Sequence, residues 1–124
     1  MLRNKYMTFV MAFFIAFIVS GCGGPKPLYV YEDYNDKYYA FKKNLDAESM
    51  LELQKSIEEA IEEMGDSRSG RVAPGMYANL GYIYLKQGNA KKALENFKKE
   101  KATYPEAAHF MDRMIKKVEL AEGK

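Results

Sequence analysis

Side chains that could carry out chemistry are scarce in this chain, which has one cysteine, Cys22, and one histidine, His109. No disulfide can form within a chain that has a single cysteine. A histidine without cysteines or other histidines near it is more often a surface or packing residue than a metal ligand or a pH switch. These residues do not supply a nucleophile, a base and an orienting group. We therefore expect no enzyme activity, no catalytic residues and no metal.

Paired glutamates are the other candidates for acid–base chemistry or cation binding. Glu58-Glu59 and Glu62-Glu63 lie within residues 46–64, where the apolar residues fall three or four apart. Such spacing predicts an amphipathic helix, and the glutamates take its polar side. A solvated helix face is the favoured interpretation of these pairs.

Residues 66–75, DSRSGRVAPG, form a connector rich in glycine and arginine ahead of a predicted helix. Free backbone N–H groups and the helix dipole could hold an anion there, with Arg68 and Arg71 beside it. The connector lacks the Gly-Lys-Ser/Thr ending of a phosphate-binding loop, and no strand pattern precedes it. An exposed connector is therefore favoured, with Pro74 in the first turn of the following helix.

The charge balance argues against nucleic-acid binding. Of the 19 basic residues, Arg3 and Lys5 lie in an N-terminal segment without acids, which leaves 17 basic and 17 acidic side chains in the rest of the chain. Domains that bind nucleic acid generally carry a basic footprint, and a neutral domain does not.

Residues 1–20 have the pattern of a secretory signal. A short basic start precedes an apolar run of 13 residues, 7–19, which is interrupted only by Thr8. The run fits the hydrophobic region of a signal peptide and is shorter than the roughly 18 to 20 residues that span a bilayer. The next residues, VSGC ending at Cys22, resemble the lipobox of bacterial lipoproteins. The other interpretation is a buried or stray cysteine after an uncleaved anchor.

The lipobox resemblance implies that residues 1–21 are removed as a signal peptide and that Cys22 carries lipid on its sulfur and a further chain on its amine. One acyl chain holds a protein only marginally, whereas several hold it durably. Gly23 stands where an aspartate would favour retention in the inner membrane, so we expect the periplasmic face of the outer membrane. Residues 22–28 then form the lipidated cysteine and a flexible tether, and covalent lipid replaces any cofactor.

Residues 28–44 hold five of the ten tyrosines: Tyr29, Tyr31, Tyr34, Tyr38 and Tyr39. Their spacing starts as an alternation and then becomes helical, which predicts an extended lead-in followed by a short helix. The rings could bind glycan or peptide, because aromatic faces stack and the hydroxyls bond at the rim. The favoured interpretation is that they close the open end of a helical stack and enlarge its small core.

Residues 77–105 predict a helical hairpin, with two amphipathic stretches joined by a Gly-Asn turn and ended by a proline. Gly81 and Ala93 are small residues at places where two helices can cross closely. The order of large and small residues closely resembles a tetratricopeptide repeat, a helix pair of about 34 residues. The resemblance covers residues 74–107 and rests on Tyr77, Leu80, Gly81, Tyr84, Gly88, Ala93, Phe97 and Pro105.

Two positions depart from the repeat pattern. Tyr77 replaces the usual tryptophan and keeps an aromatic plug. Glu100 stands where a small residue is usual, which predicts looser packing of the second helix on its neighbour or a register shift of a residue or two.

These elements together predict an all-α fold, a TPR-like stack of about five helices after the signal peptide. The five are a short tyrosine-rich helix, a long helix capped by Asn44 or Asp46, the repeat pair, and a C-terminal capping helix within residues 106–122. We expect the helical domain to span residues 29–124. Since one repeat cannot bury its own faces, the flanking helices must act as its neighbours.

The chain also resembles a family of small bacterial lipoproteins that contain one tetratricopeptide repeat. The residues that carry this resemblance are Cys22, the tyrosine-rich segment, residues 71–75, the repeat and residues 104–113. The resemblance implies association with a lipoprotein similar to the curli-secretion channel. We expect a membrane-anchored protein-interaction module that binds another envelope protein and assembles or stabilises an envelope or curli-like export complex.

The first helix of a repeat lines its concave surface. In this chain that groove would be built from Asn79, Tyr82, Leu85 and Lys86, and Asn79 matches an asparagine that bonds extended peptide in peptide-binding repeats. The alternative function is an envelope lipoprotein that binds peptidoglycan or glycan through its tyrosine-rich segment.

Overall fold

The computed structural model describes residues 1–19 and 23–123, and within the first helix it describes the side chains of residues 1–11. In this part of the chain all regular structure is helical. The all-α prediction is confirmed, and the five helices expected after the leader are present as α2 to α6. The α-helices are α1 Leu2–Val19, α2 Tyr34–Asn44, α3 Ala47–Glu62, α4 Met76–Lys86, α5 Ala90–Thr103 and α6 Ala108–Ala121, and single 3₁₀ turns cover Met64–Asp66 and Pro105–Ala107.

The first helix, α1, contributes no described side chain to the hydrophobic core. The side chains of residues 1–11 are all exposed. Among the described residues, no helix combines the length and the apolar character needed to cross a membrane. The predicted lipidation site, Cys22, lies outside the described residues.

Side-chain caps determine where two of the helices begin. Asp46 accepts a hydrogen bond from the Ser49 N–H at 2.8 Å and another from the Ser49 hydroxyl at 2.6 Å, directly ahead of α3. Asn89 accepts from the Lys92 N–H at 3.1 Å ahead of α5. Of the two caps expected for α3, Asp46 is the one used, because Asn44 is the last residue of α2.

The start of α4 differs from the prediction for Pro74. The helix begins at Met76, and Gly75 is its N-cap with a φ of 89°. Glycine adopts this left-handed conformation readily, so the chain turns at Gly75 before the helix begins. Pro74 therefore belongs to the connector and not to the first turn of α4.

Helices α4 and α5 cross closely at Gly81. A Cβ atom on Gly81 would lie 2.7 Å from the Phe97 ring and 3.2 Å from the carbonyl oxygen of Ala93. The Phe97 side chain is 1% exposed, so the ring fills the space that the glycine leaves. The crossing forms the centre of a core whose buried members are Leu53, Ile57, Ala60, Val72, Ala73, Met76, Leu80, Ile83, Tyr84, Ala93, Phe97, Met111 and Val118.

The helices after α1 pack in chain order, α2 on α3, α3 on α4, α4 on α5 and α5 on α6. The pair α4–α5 therefore has a helical neighbour on each side. The pair α2–α3 and the helix α6 form the two ends of the stack, and their outer faces are open to solvent or to a partner.

Candidate functional site

Three tyrosines form a row along α2 and the residue positions just before it. The ring centroids of Tyr31 and Tyr34 are 6.3 Å apart, and those of Tyr34 and Tyr38 are 5.8 Å apart in a stacked arrangement. Tyr31 and Tyr38 are 39% and 37% exposed, whereas Tyr34 is half-buried. The row thus combines a fixed central ring with aromatic surface that a partner can contact.

The other two tyrosines of this segment lie outside the row. Tyr29 packs against the hydrophobic core, and its ring meets Tyr31 edge-on at 6.3 Å. Tyr39 is 70% exposed and, one residue after Tyr38, lies on a neighbouring face of α2. Of the five tyrosines considered as a glycan platform, three form the row. Tyr29 packs against the core, and Tyr39 lies on a different face of α2.

The groove predicted on α4 is accessible at two of its residues. Tyr82 is 37% exposed, and the Lys86 ammonium lies 5.4 Å from the Tyr82 ring centroid. A cation over an aromatic ring contributes about 0.5–1 kcal/mol at an exposed site and restrains both side chains. Leu85 is partly buried and packs against the core, so it supports α4 from beneath.

One hydrogen bond joins the two helices that carry these residues. The Asn79 side-chain amide donates to the Tyr34 hydroxyl at 2.6 Å, so the amide expected to bond a peptide is engaged within the fold. Burial raises the pKa of Tyr34, and its hydroxyl stays neutral at physiological pH. Tyr82 follows Asn79 by three residues, so the two side chains lie on the same side of α4, next to the helix that carries the tyrosine row. We call this surface the tyrosine face, and it consists of Tyr31, Tyr34, Tyr38, Asn79, Tyr82 and Lys86.

Glu100 caps the start of α4 from the neighbouring helix. Its side chain is almost fully buried, and its carboxylate accepts hydrogen bonds from the N–H groups of Gly75 at 2.7 Å and Ala78 at 3.3 Å. The first N–H groups of a helix have no partner within the helix, and the dipole favours negative charge there. The looser packing expected at this position is not observed, since Glu100 ties α4 to α5. The signal in the sequence was the acid in a place where the repeat pattern has a small residue.

Glu58, one of the four paired glutamates, joins α3 to another helix. The Glu58 carboxylate accepts hydrogen bonds from the Tyr84 hydroxyl at 2.7 Å and from the Gln54 amide at 3.0 Å. Burial raises the pKa of Tyr84 to about 12, and the neighbouring carboxylate adds to the shift. This contact links α3 to α4. Glu59 and Glu62 are exposed, in agreement with a solvated face.

The arginine-containing connector docks against the end of the tether. The Arg68 N–H donates to the Pro27 carbonyl at 2.9 Å, and the Ser69 N–H donates to the Leu28 carbonyl at 3.3 Å. The Arg71 guanidinium lies 5.3 Å from the centroid of the Tyr104 ring. Two backbone N–H groups and the Arg71 side chain, which could have contributed to an anion site, are therefore engaged within the fold. Pro27 and Leu28 are thus tied to the connector through their backbone carbonyls, although both side chains are exposed.

The remaining candidates stay separate from the tyrosine face. His109 is exposed on α6. Within residues 1–19 and 23–123, no group of three or more histidine, cysteine, aspartate or glutamate side chains is placed to hold a metal ion.

These features define the class of the protein as a small helical domain that presents an exposed aromatic surface across two helices. The chain belongs to the DUF4810 family, which is described as a domain of unknown function and which matches residues 28–114. The whole tyrosine face lies inside the matched range. Comparison with the curated proteins gave no match, and comparison with the solved structures gave none either.

Proposed function

We propose that this chain is a lipoprotein, anchored through Cys22 to the periplasmic face of the outer membrane, whose helical domain binds another envelope protein through the tyrosine face. The observation that carries the proposal is the hydrogen bond from Asn79 to Tyr34, because it joins the aromatic surfaces of two helices into one. Tyrosines are enriched at protein interfaces, where the ring supplies contact area and the hydroxyl bonds at the rim.

Several side chains of the tyrosine face already have partners within the fold. Tyr34 is held by Asn79 and by its stacking on Tyr38, and Tyr82 is held by Lys86. Side chains that are already fixed lose less entropy on binding, a saving of about 0.5–1.5 kcal/mol for each one. A rigid and short surface of this kind suits one dedicated protein partner better than a long flexible peptide.

The partner that we propose is a lipoprotein similar to the curli-secretion channel, with this chain assembling or stabilising the export complex. The resemblance to the lipoprotein family supports this identity. The repeat assignment is supported by the close approach of Phe97 to Gly81 and by the turn at Gly88, which has a φ of 76°. Repeat helix pairs bind proteins chiefly through their first helix, which here is α4.

Crosslinking in the native envelope, followed by isolation of the tagged chain, tests the tyrosine face. A Tyr38→Ala/Tyr82→Ala variant should recover the specific partner at least about tenfold less than the wild type, because truncating a central aromatic anchor commonly weakens binding by about 2 kcal/mol. Tyr39→Ala is the matched control, since it removes the same side chain from the same helix but outside the face. Equal recovery by all three chains would show that binding occurs elsewhere.

The anchor is tested by Cys22→Ser in cells supplied with labelled palmitate. The variant should carry no lipid label and should accumulate as the unprocessed precursor, because only a thiol forms the thioether. Lipid label that persists on the variant would contradict the lipoprotein assignment. Fractionation of wild-type membranes should place the mature chain with the outer membrane.

The second function that we propose, as the alternative, is glycan binding. Its support is the exposure of Tyr31, Tyr38 and Tyr39, each more than a third accessible in one short segment. Stacking of Tyr38 on Tyr34 already uses one aromatic face, which reduces the area left for a sugar ring. Sedimentation of the purified protein with isolated peptidoglycan sacculi tests this function, and protein that stays in the supernatant rules it out.

A further inference from the structure

Charge is divided unequally between the two ends of the helical stack. Residues 28–66, which contain α2 and α3, carry 11 acidic and 4 basic side chains. Residues 67–123, which contain α4, α5 and α6, carry 6 acidic and 11 basic side chains. A chain that is neutral after its leader is therefore strongly dipolar along its stack.

The outer face of α6 combines this positive charge with exposed apolar side chains. Met111 and Val118 face the core, whereas Phe110 and Leu120 are 57% and 66% exposed. The spacing along the helix puts Arg113 and Lys117 on the same outward stripe as these two residues. Arg113, Lys116 and Lys117 take part in none of the ion pairs formed among the described residues.

The outer face of α3 is the counterpart at the other end. Leu51 is 60% exposed, and helical spacing places Glu48 and Glu62 on the same side of α3, opposite the buried Leu53. Lys55, the one basic residue of α3, lies on this side too and pairs with Glu59 at 3.8 Å, so the face is acidic overall. Neither Glu48 nor Glu62 joins an ion pair among the described residues. Each end of the stack thus exposes apolar side chains, and the two faces carry opposite net charge.

We propose that a second copy of this chain docks head to tail, with the outer face of α6 in one copy on the outer face of α3 in the next. Charge complementarity within a single sequence favours this occupant over an unrelated protein. The two faces lie on different helices, so a row of copies keeps a free α3 face at one end and a free α6 face at the other. Head-to-tail contacts of this type build rings or open rows. The tyrosine face lies on α2 and α4 and stays available to a different partner.

Zero-length carbodiimide crosslinking tests the contact, because it joins a carboxylate to an amine only when the two touch. The full chain, purified in detergent, is mixed as equal parts of ¹⁵N-labelled and unlabelled protein. We expect crosslinked peptides that pair Lys117 or Lys116 with Glu62 or Glu48 and that combine one labelled with one unlabelled chain. Links confined to single chains, or links between two α6 helices, would overturn the proposal.

Charge reversal makes the test specific. Arg113→Glu/Lys117→Glu should reduce the intermolecular links by at least about tenfold, because like charges then face each other. Adding Glu48→Lys/Glu62→Lys to the same chain should restore them, because both faces are reversed together. Lys91→Glu/Lys98→Glu on α5 changes the net charge equally and should leave the links unchanged.

Two results would overturn head-to-tail docking. The first is loss of links in the α5 control, which would mark a non-specific charge effect. The second is a combination of two observations. The fourfold variant does not regain the intermolecular links, and vesicles of phosphatidylglycerol bind the wild type but not Arg113→Glu/Lys117→Glu. That second result would assign the α6 face to an anionic lipid surface.

Discussion

At the scale of single residues, Glu100 caps the N-terminus of α4 although it belongs to α5. A small side chain in its place could not reach these N–H groups. Two N–H groups at the start of α4 point to its buried carboxylate. Replacement by alanine would leave these donors without an acceptor in a place that water reaches poorly. The acid in this position is therefore part of the architecture, although the repeat pattern has a small residue there.

We expect Glu100→Ala to lower the free energy of unfolding by about 1–3 kcal/mol, the usual loss when buried donors lose their acceptor. Urea unfolding followed by circular dichroism measures the change. Glu100→Gln keeps an acceptor oxygen of nearly the same shape and should lose distinctly less. An alanine variant as stable as the wild type would show that the cap carries no net stabilisation.

A second residue-scale prediction concerns Glu63, because the neighbouring Glu32 carboxyl raises its pKa from 4.5. The folded chain holds this proton more tightly than the unfolded chain does. The stabilisation from this group is therefore fully present below pH 4.5 and is lost as the pH rises through the folded-state pKa.

Glu63→Gln should raise the melting temperature at pH 7, because it removes the repulsion from Glu32. The gain should shrink at pH 4 and in high salt, where protonation or screening already weakens the repulsion. Thermal melts across this pH range measure the effect, with Glu62→Gln as the control on the same helical turn. A gain of equal size at both pH values would contradict the assignment to Glu32.

At the scale of elements, the packing of α4 on α5 depends on Gly81. Gly81→Ala should destabilise the fold by about 1–3 kcal/mol, because its Cβ would press on the buried Phe97 ring and force the helices apart. Gly65→Ala is the matched control, since an added Cβ there meets nothing within 4 Å. Chemical denaturation of both variants measures the difference. Equal stability of the two variants would mean that the crossing tolerates the extra methyl group.

Local patterns predicted most of the elements, and the reason is physical. Apolar spacing, the cap at Asp46 and the turn at Gly88 act within a few residues, so they can be recognised along the chain. The contacts that the sequence did not predict bring distant residues together. Glu100 reaches α4 from 25 residues away, and Asn79 meets Tyr34 across 45 residues. Nothing in the residues near Glu100 or Asn79 along the chain indicates which distant residue each would contact.

The tyrosine face shows the same limit at the scale of the whole molecule. The tyrosine segment and the α4 groove were two separate predictions for two different ligands. Packing of α2–α3 against α4 makes Tyr34 and Asn79 neighbours, and the two candidate sites become one. Which residues are available could not be predicted either, because Tyr29 and Leu85 turned out to pack against the core.

The hydrogen bonds between residues 27–28 and the connector also limit how far the domain can lie from the proposed lipid anchor. The carbonyls of Pro27 and Leu28 are bonded to the connector, so only residues 23–26 separate this point of attachment from Cys22. Four extended residues span at most about 14 Å. If Cys22 carries the proposed lipid, the domain stays close to the membrane surface, and its partner must present its binding surface there.

Hydrogen exchange measured by mass spectrometry tests this docking. The Arg68 and Ser69 amides should exchange slowly in the full chain, because the carbonyls of Pro27 and Leu28 accept their hydrogen bonds. Deleting residues 23–28 removes both acceptors and should speed deuterium uptake in the peptide over residues 66–71, while uptake in α5 stays the same. Inserting glycines between Gly24 and Pro25 lengthens the tether but keeps both carbonyls, so it should not change the uptake. Equally fast exchange in all three chains would mean that the packed domain begins after Leu28 and that the tether is longer and freer than the structure indicates.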